Sequence, residues 1–335
     1  MTKFSFKSNS LALALAKITK NIDEAIELLQ KGEIVAIPTE TVYGLAANAF
    51  DEDAVLKIFA AKNRPHFNPL ILHIGNLNQL QILVEELPTL AIEILGKYSP
   101  GPITLLLKKK PIVSDLVTAG SDYVAVRIPN HSLTLELLKR IDFPLAAPSA
   151  NPSGYVSPTK AIHVEQQLGG KLQLILDGGD CQVGIESTIL GFDTGKIIIH
   201  RLGNVTPEQL MQDFPDWEVI IANDGKERPT APGQLKSHYA PSKTCYWGNI
   251  TELIEKYNGV KLGAIMFRAK TNYIAEDKQI VLAADGKLKT AAKNVFTALR
   301  DIESMDCDII LLEELPNQGI GLAINDRLKR ASSNN

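Results

Sequence analysis

From Gly32 onward the chain is built of short apolar runs, each ended by turn formers or by a stretch of helical spacing. Glu33–Ile37, Leu70–Ile74, Ile103–Leu107, Tyr123–Ile128, Pro144–Ala147, Leu174–Leu176, Ser187–Gly191 and Lys196–His200 read as buried strands. Helical spacing falls between several of them, at Leu133–Lys139, at Lys160–Leu168 and in two stretches up to Lys97. Two helix starts are explicit. Asn21 caps a helix carrying Ile22, Ala25, Ile26 and Leu29, with Glu24 placed as in a capping box and Gly32 at the stop. Asp51-Glu52-Asp53 opens another, with acids where the helix dipole favours them. Short strands alternating with helices bury their apolar faces only around a central sheet, so the expected class is α/β (α+β).

A length of 335 residues fits two domains. The composition shifts near Asn223: residues 223–233 are polar and rich in Pro and Gly, as a linker is. Beyond it, Leu262–Phe267 and Ile309–Leu312 read as strands and Ala291–Ile302 as an amphipathic helix. The expected division is therefore a main domain at 1–222, a linker or lid at 223–241, and a smaller Rossmann-like α/β domain at 242–335.

Charge and cysteine usage exclude several classes. The chain has 35 Lys and Arg against 38 Asp and Glu, and residues 1–222 alone hold 19 against 24. A protein that grips nucleic acid through bulk charge needs a basic excess. No apolar run approaches the roughly 18 residues that span a bilayer. The run Leu11–Ala16 is followed at once by Lys17, where a signal peptide has small residues, so it is not read as one. Cys181, Cys245 and Cys307 lie far apart with no CxxC pair, which argues against a disulfide framework or a structural zinc site. The expected location is the cytoplasm. The chain has no GxxxxGK[ST], HExxH or GxSxG. Gly319-Ile320-Gly321 reads as a turn before a last helix rather than a dinucleotide site.

The informative residues are polar ones inside apolar runs. On the strand Tyr123–Ile128, Arg127 shares a face with Ala125 and Tyr123. A buried Arg needs an ion-pair partner, or else a wet cleft where its fork takes a carboxylate or phosphate. His73, beside Ile71 on another strand, is either a satisfied core residue or a ligand. Lys62-Asn63-Arg64-Pro65 and Asn68-Pro69 form a rigid basic loop, either a solvated helix end or a triphosphate contact. Pro148–Gly154 is dense in turn formers and follows a strand end, where α/β sheets place ligands. Pro38–Gly44 and Gly184–Thr188 each set an acid, Glu40 or Glu186, among hydroxyls; singly either is a surface acid.

Taken in order, PTETVYGL, KNRP-HFNPLILHI, PGPITLLL, VAVRIP, APSANPSG, DGGDCQVGIEST and RLGNVTP resemble the YrdC family. Ala231-Pro232-Gly233, Ser237–Pro241 and the C-terminal Gly319–Arg327 resemble the linker and the end of the second domain in its two-domain form. The resemblance implies a YrdC-like open twisted sheet with flanking helices. It implies synthesis of threonylcarbamoyl-adenylate from L-threonine, bicarbonate and ATP, with Mg²⁺ carried by ATP and no dedicated protein metal site. The product would feed the tRNA threonylcarbamoyl-transferase machinery.

By the same resemblance Lys62, Arg64, Asn68, Ser149, Asn151, Ser157, Arg201 and Tyr239 contact ATP. Thr41, His73, Arg127, Ala147 and Ser187 hold threonine, with Lys62, Arg64 and Arg127 as the catalytic cations. His73 is the only group there that titrates near neutral pH, and the linker and second domain are expected to gate access. Asn63 stands where the family has Gly, and Tyr123 where it more often has a small hydroxyl residue. The alternative reading is an RNA- or tRNA-binding module of the same fold, with at most weak tRNA binding expected from the charge. A carbamoyl-transfer enzyme of the hydrogenase-maturation type would carry further domains not seen in this sequence.

Overall fold

The computed structural model describes residues 15–222 and 239–333. Residues 223–238, with most of the expected linker, lie outside the described residues, as does most of the run Leu11–Ala16. The first unit is an eleven-stranded mixed sheet. Its strands are β1 (Lys17–Thr19), β2 (Val35–Ile37), β3 (Gly44–Asn48), β4 (Ile71–His73), β5 (Ile103–Lys108) and β6 (Tyr123–Arg127). They continue with β7 (Leu145–Ala146), β8 (Leu174–Leu176), β9 (Thr188–Asp193), β10 (Lys196–Arg201) and β11 (Glu218–Ile221). The spatial order is β1-β8-β2-β3-β7-β4-β6-β5-β9-β10-β11.

Every strand expected from the apolar runs is present, with ends shifted by a residue or two. β1, β3 and β11 were not expected. β3 reads Gly-Leu-Ala-Ala-Asn, with no β-branched residue, and is made a strand by pairing with β2 and β7 on either side. β1 and β11 are short edge strands with half their residues exposed or nearly so.

Alternation places the two faces of the sheet in different cores. Ala36, Val124 and Val126 belong to the large core that the helix Glu52–Lys62 covers through Val55, Ile58 and Phe59. Val35, Ile37 and Leu145 point the other way, under the helices Ile22–Gln30 and Ser132–Arg140. Beside that helical cover, the same face carries only the small cluster Ile71, Leu106, Ala125 and Ile189. Polar side chains gather over this thinly covered stretch.

Local capping follows the sequence with one difference. Asn21 Oδ1 accepts from the Asp23 N–H at 3.0 Å, and Asp51 Oδ1 from the Ala54 N–H at 3.1 Å. Glu24 accepts from the Asn21 side-chain amide, not from its backbone N–H, so the capping box is not formed.

The second unit is a four-stranded, all-parallel sheet of β12 (Thr244–Gly248), β13 (Leu262–Met266), β14 (Gln279–Val281) and β15 (Ile309–Glu313), in the order β12-β15-β13-β14. The helix Ile320–Ala331 follows Gly319, in agreement with the turn expected there. The helix Leu288–Asp301 packs on the first unit, and Val42, Val156 and Ile185 share one core with Val295, Phe296 and Leu299. No helix among the described residues is long and apolar enough to cross a membrane.

The two units approach closely at Gly184. Its φ is +81°, and a Cβ there would meet Lys293 Cα at 2.4 Å and Ala292 O at 2.6 Å. Gly184→Ala is expected to destabilise the chain by about 1–3 kcal/mol and to separate the two units' melting. Calorimetry showing one unshifted transition would contradict this.

Candidate active site

One cleft opens over the thinly covered face. Thr41, Arg64, His73 and Arg127 line it, as do Ala147, Ser149, Arg201 and Tyr239. The other five expected residues stand one layer behind, each joined to the lining. Lys62 Nζ donates to the carbonyls of Ser149, at 2.5 Å, and Asn151. The Asn151 N–H donates to Ser149 O at 3.0 Å. Asn68 O accepts from Arg64 Nε at 3.1 Å, Ser157 Oγ donates to Glu186 Oε1 at 2.7 Å, and Ser187 Oγ accepts from Arg201 Nη2 at 2.9 Å.

The strands supply the registration. β4 and β6 run parallel with His73 opposite Arg127 and Ile71 opposite Ala125, so the two polar side chains stand together at the strand ends. The β2–β3 turn brings Thr39, Glu40 and Thr41 across to them. Arg127 donates from Nε to Gly101 O at 3.2 Å and from Nη1 to Thr41 Oγ1 at 2.9 Å. Its Nη2 forms an ion pair with Glu40 Oε1 at 2.8 Å, too poorly aligned to count as a hydrogen bond. The basic loop depends on Asn63, which closes the helix Glu52–Lys62 with φ 50°. Asn tolerates this left-handed position nearly as Gly does, so the exchange costs little.

Every buried Asp, Glu, Lys or Arg among the described residues belongs to this region. They are Lys62, Arg64, Arg127, Arg201 and Arg327 against Glu40 and Glu186. Five cations against two carboxylates leave a positive surplus out of water, at a cost of several kcal/mol per uncompensated ion. The surplus registers in the acidities. Burial and the nearby Arg201 push Arg64 down to about 9. Burial, with Arg327 and Arg127 adding to it, pushes Arg201 down to about 10 against the opposing pull of Tyr239 and Glu186. Burial and Arg64 hold Lys62 well below the usual lysine range.

Several buried polar atoms have no hydrogen-bond partner among the described residues: both side-chain atoms of Asn68, Asn151 Oδ1 and His73 Nδ1. His73 departs from the expectation. Burial, then Arg127, depresses it to about 3, so it is a neutral imidazole throughout the physiological range and not a group titrating near neutrality. Glu40 and Glu186 also differ from the surface-acid reading: both are buried and paired with arginines. Their arginine partners lie far off in the sequence, so only their place among hydroxyls marked them. Tyr123 is half exposed and does not line the cleft. No cluster of three or more His, Cys, Asp or Glu suited to a metal occurs among the described residues.

Comparison with known proteins gives a consistent result. The Sua5/YciO/YrdC family model, described as "Telomere recombination", matches residues 27–203, and the model "Threonylcarbamoyl-AMP synthase, C-terminal domain" matches 205–333. The threonylcarbamoyl-AMP synthase of Pyrococcus abyssi is 39% identical over 321 residues, 92% of this chain and 93% of that protein. The Bacillus subtilis protein of the same name is 40% identical over 320 residues, covering 93% and 92%. The crystal structure of P. abyssi Sua5 complexed with L-threonine superposes with a TM-score of 0.87 at 36% identity, covering 95% of this chain and 98% of that one.

The depressed histidine has a thermodynamic signature. Unfolding restores His73 to about 6.5, so the unfolded chain takes up a proton that the folded chain refuses. Its stabilisation is complete above pH 6.5 and is lost as pH falls toward 3. His163, lowered to about 4 by burial and then by Arg300 and Lys160, acts in the same direction. Each histidine should steepen the loss of stability by up to about 1.4 kcal/mol per pH unit below 6.5. Denaturant melts of His73→Asn between pH 6.5 and 4.5 should show a shallower slope than wild type; an identical slope would refute the assignment.

Proposed function

The chain belongs to the Sua5/YciO/YrdC family in its two-domain form, and we propose that its cleft holds L-threonine on the His73–Arg127 side and ATP on the Arg64–Arg201 side. The chain is an enzyme of the nucleotidyltransferase type, and it makes threonylcarbamoyl-AMP. The observation that carries the site assignment is the surplus of buried cations around one cleft. A carboxylate and a triphosphate are the charges that offset it.

Arg127 is the threonine carboxylate's partner, since Gly101, Thr41 and Glu40 fix the guanidinium and leave part of its fork free. Thr41 and His73 face the remaining polar atoms of threonine, Ala147 forms the wall, and Ser187 orders Arg201 from behind. The deprotonated threonine amine attacks the carbon of bicarbonate, whose hydroxyl leaves with the amine proton as water, or that of carbon dioxide with loss of a proton, giving a carbamate. A carbamate oxygen then attacks the α-phosphorus, and the bond to pyrophosphate breaks. Arg64 and Arg201 meet the charge that grows on the phosphate oxygens, with Mg²⁺ entering on ATP as part of the substrate. Glu40 and Glu186 are already engaged by arginines, so phosphate and water oxygens are the ion's natural ligands.

Lys62 acts more through the loop than on the nucleotide. Its ammonium ties the Ser149 and Asn151 carbonyls together, which sets the Ser149 side chain on the cleft wall. Neutral His73 offers a lone pair rather than a charge. Threonine binding offsets Arg127, one cause of its depression, so its basicity rises as the substrate arrives. Tyr239, buried and at φ 64°, closes the cleft from the linker side. The labile product passes to the tRNA threonylcarbamoyl-transferase machinery in the cytoplasm.

Pyrophosphate release from ATP should require both L-threonine and bicarbonate, and release needing neither would overturn the reading. Arg127→Ala alone leaves Glu40 buried and unpaired, so the informative variant pairs Arg127→Ala with Glu40→Gln. Loss of one or two charge-assisted bonds of about 1.5–3 kcal/mol each should raise the threonine KM at least tenfold. The ATP KM should stay within a few-fold.

A further inference from the structure

We infer that Arg327, on the last helix of the second unit, is a positioning residue for the reaction: through Glu186 it holds Ser157 and Arg201 in place on the nucleotide side of the cleft. The inference rests on the reading of the cleft given above.

Arg327 is fully buried and does not line the cleft. Its Nε donates to Glu186 Oε2 at 3.3 Å, across 141 positions of sequence and from one unit to the other. The remaining contacts fix its orientation. Nη1 donates to Asp326 Oδ2 at 3.2 Å, and Asp326 Oδ1 accepts in turn from Arg330 Nε at 3.0 Å. The guanidinium carbon lies 5.7 Å from the centroid of the Tyr239 ring, and that ring lines the cleft.

Glu186 is the relay. It lines the cleft, and its second oxygen accepts from Ser157 Oγ at 2.7 Å. Burial alone would raise its pKa, but Arg327 and then Arg201 outweigh burial and hold it below the usual carboxylate range. One carboxylate is thus shared between a cation of the second unit and a cation of the cleft. With Arg327 removed, Glu186 stays buried and keeps Arg201 as its main counter-charge. Arg201 is now held to Ser187 by two bonds, Nε to Ser187 O at 3.0 Å and Nη2 to Ser187 Oγ at 2.9 Å. Burial then weighs more heavily against the Glu186 carboxylate, and once protonated it no longer orients Arg201 toward the phosphate side. The second unit therefore contributes to the geometry of the cleft as well as covering it.

The test uses the full chain with pyrophosphate release as the assay. Arg327→Met should raise the ATP KM tenfold or more while the threonine KM changes less than threefold. Its activity profile should gain an acid limb absent from wild type, as Glu186 protonates and lets go of Arg201. The limb should vanish when Glu186→Gln is added. Glu186→Gln alone, which keeps the shape without the charge, should raise the ATP KM in the same direction and serves where Arg327→Met does not fold. An ATP KM within twofold of wild type in either single variant, or an Arg327→Met profile identical to wild type, would overturn the inference. A wild-type chain that releases no threonine-dependent pyrophosphate would instead count against the parent reading.

Discussion

The structure depends on a positive charge surplus that has been taken out of water. Five buried cations and two buried carboxylates gather around one cleft. Desolvating them is costly, and internal pairing offsets only part of that cost. The architecture follows from the remainder. Guanidiniums are tied to carbonyls, as Arg64 is to Asn68 and Pro69, so that orientation is set before a ligand arrives. The sheet face beneath is left thin, so that the strand ends carrying His73 and Arg127 meet a cleft and not a helix. The second unit closes over it, and the low dielectric it creates strengthens every charge inside.

The parts of this arrangement that break a local pattern were legible in the sequence. Arg127 and His73 stand out because each interrupts an apolar strand, and strand periodicity alone puts Arg127 on the Ala125 face. The fold class was legible for the same reason, since β4, β5, β6 and β8 are continuous apolar runs. What depends on distant partners was not. Glu40 and Glu186 look like surface acids until Arg127 and Arg327 are placed against them. Lys62 resembles a phosphate ligand, yet its partners are backbone carbonyls, which exist at every residue and leave no mark in sequence. β3 was missed because its Ala-rich segment is a strand through its neighbours alone.

The neutrality of His73 arises from the same surplus. A histidine beside Arg127 in a buried cleft sheds its proton because a further positive charge there is unfavourable. In the proposed reaction a neutral imidazole is the useful form next to an amine that must lose a proton, since an imidazolium offers no lone pair. In the proposed assignment the charge that binds the substrate also sets the protonation state of its neighbour.

The two carboxylates give the surplus its second function. A cleft with cations alone would hold any phosphate-bearing ligand by charge without favouring the transition state, and uniform binding lowers KM without raising turnover. Glu40 takes one side of Arg127 and leaves the rest of its fork for the ligand, and Glu186 sits between Ser157 and Arg327 at the cleft wall. They convert diffuse positive potential into a few aimed donors, and aim is what distinguishes a transition state from a ground state. Glu186 can hold that aim while fully buried only because Arg327 supplies a compensating charge from the second unit. On the inference drawn above, the second unit is thereby tied to the chemistry by the cost of burying a single carboxylate.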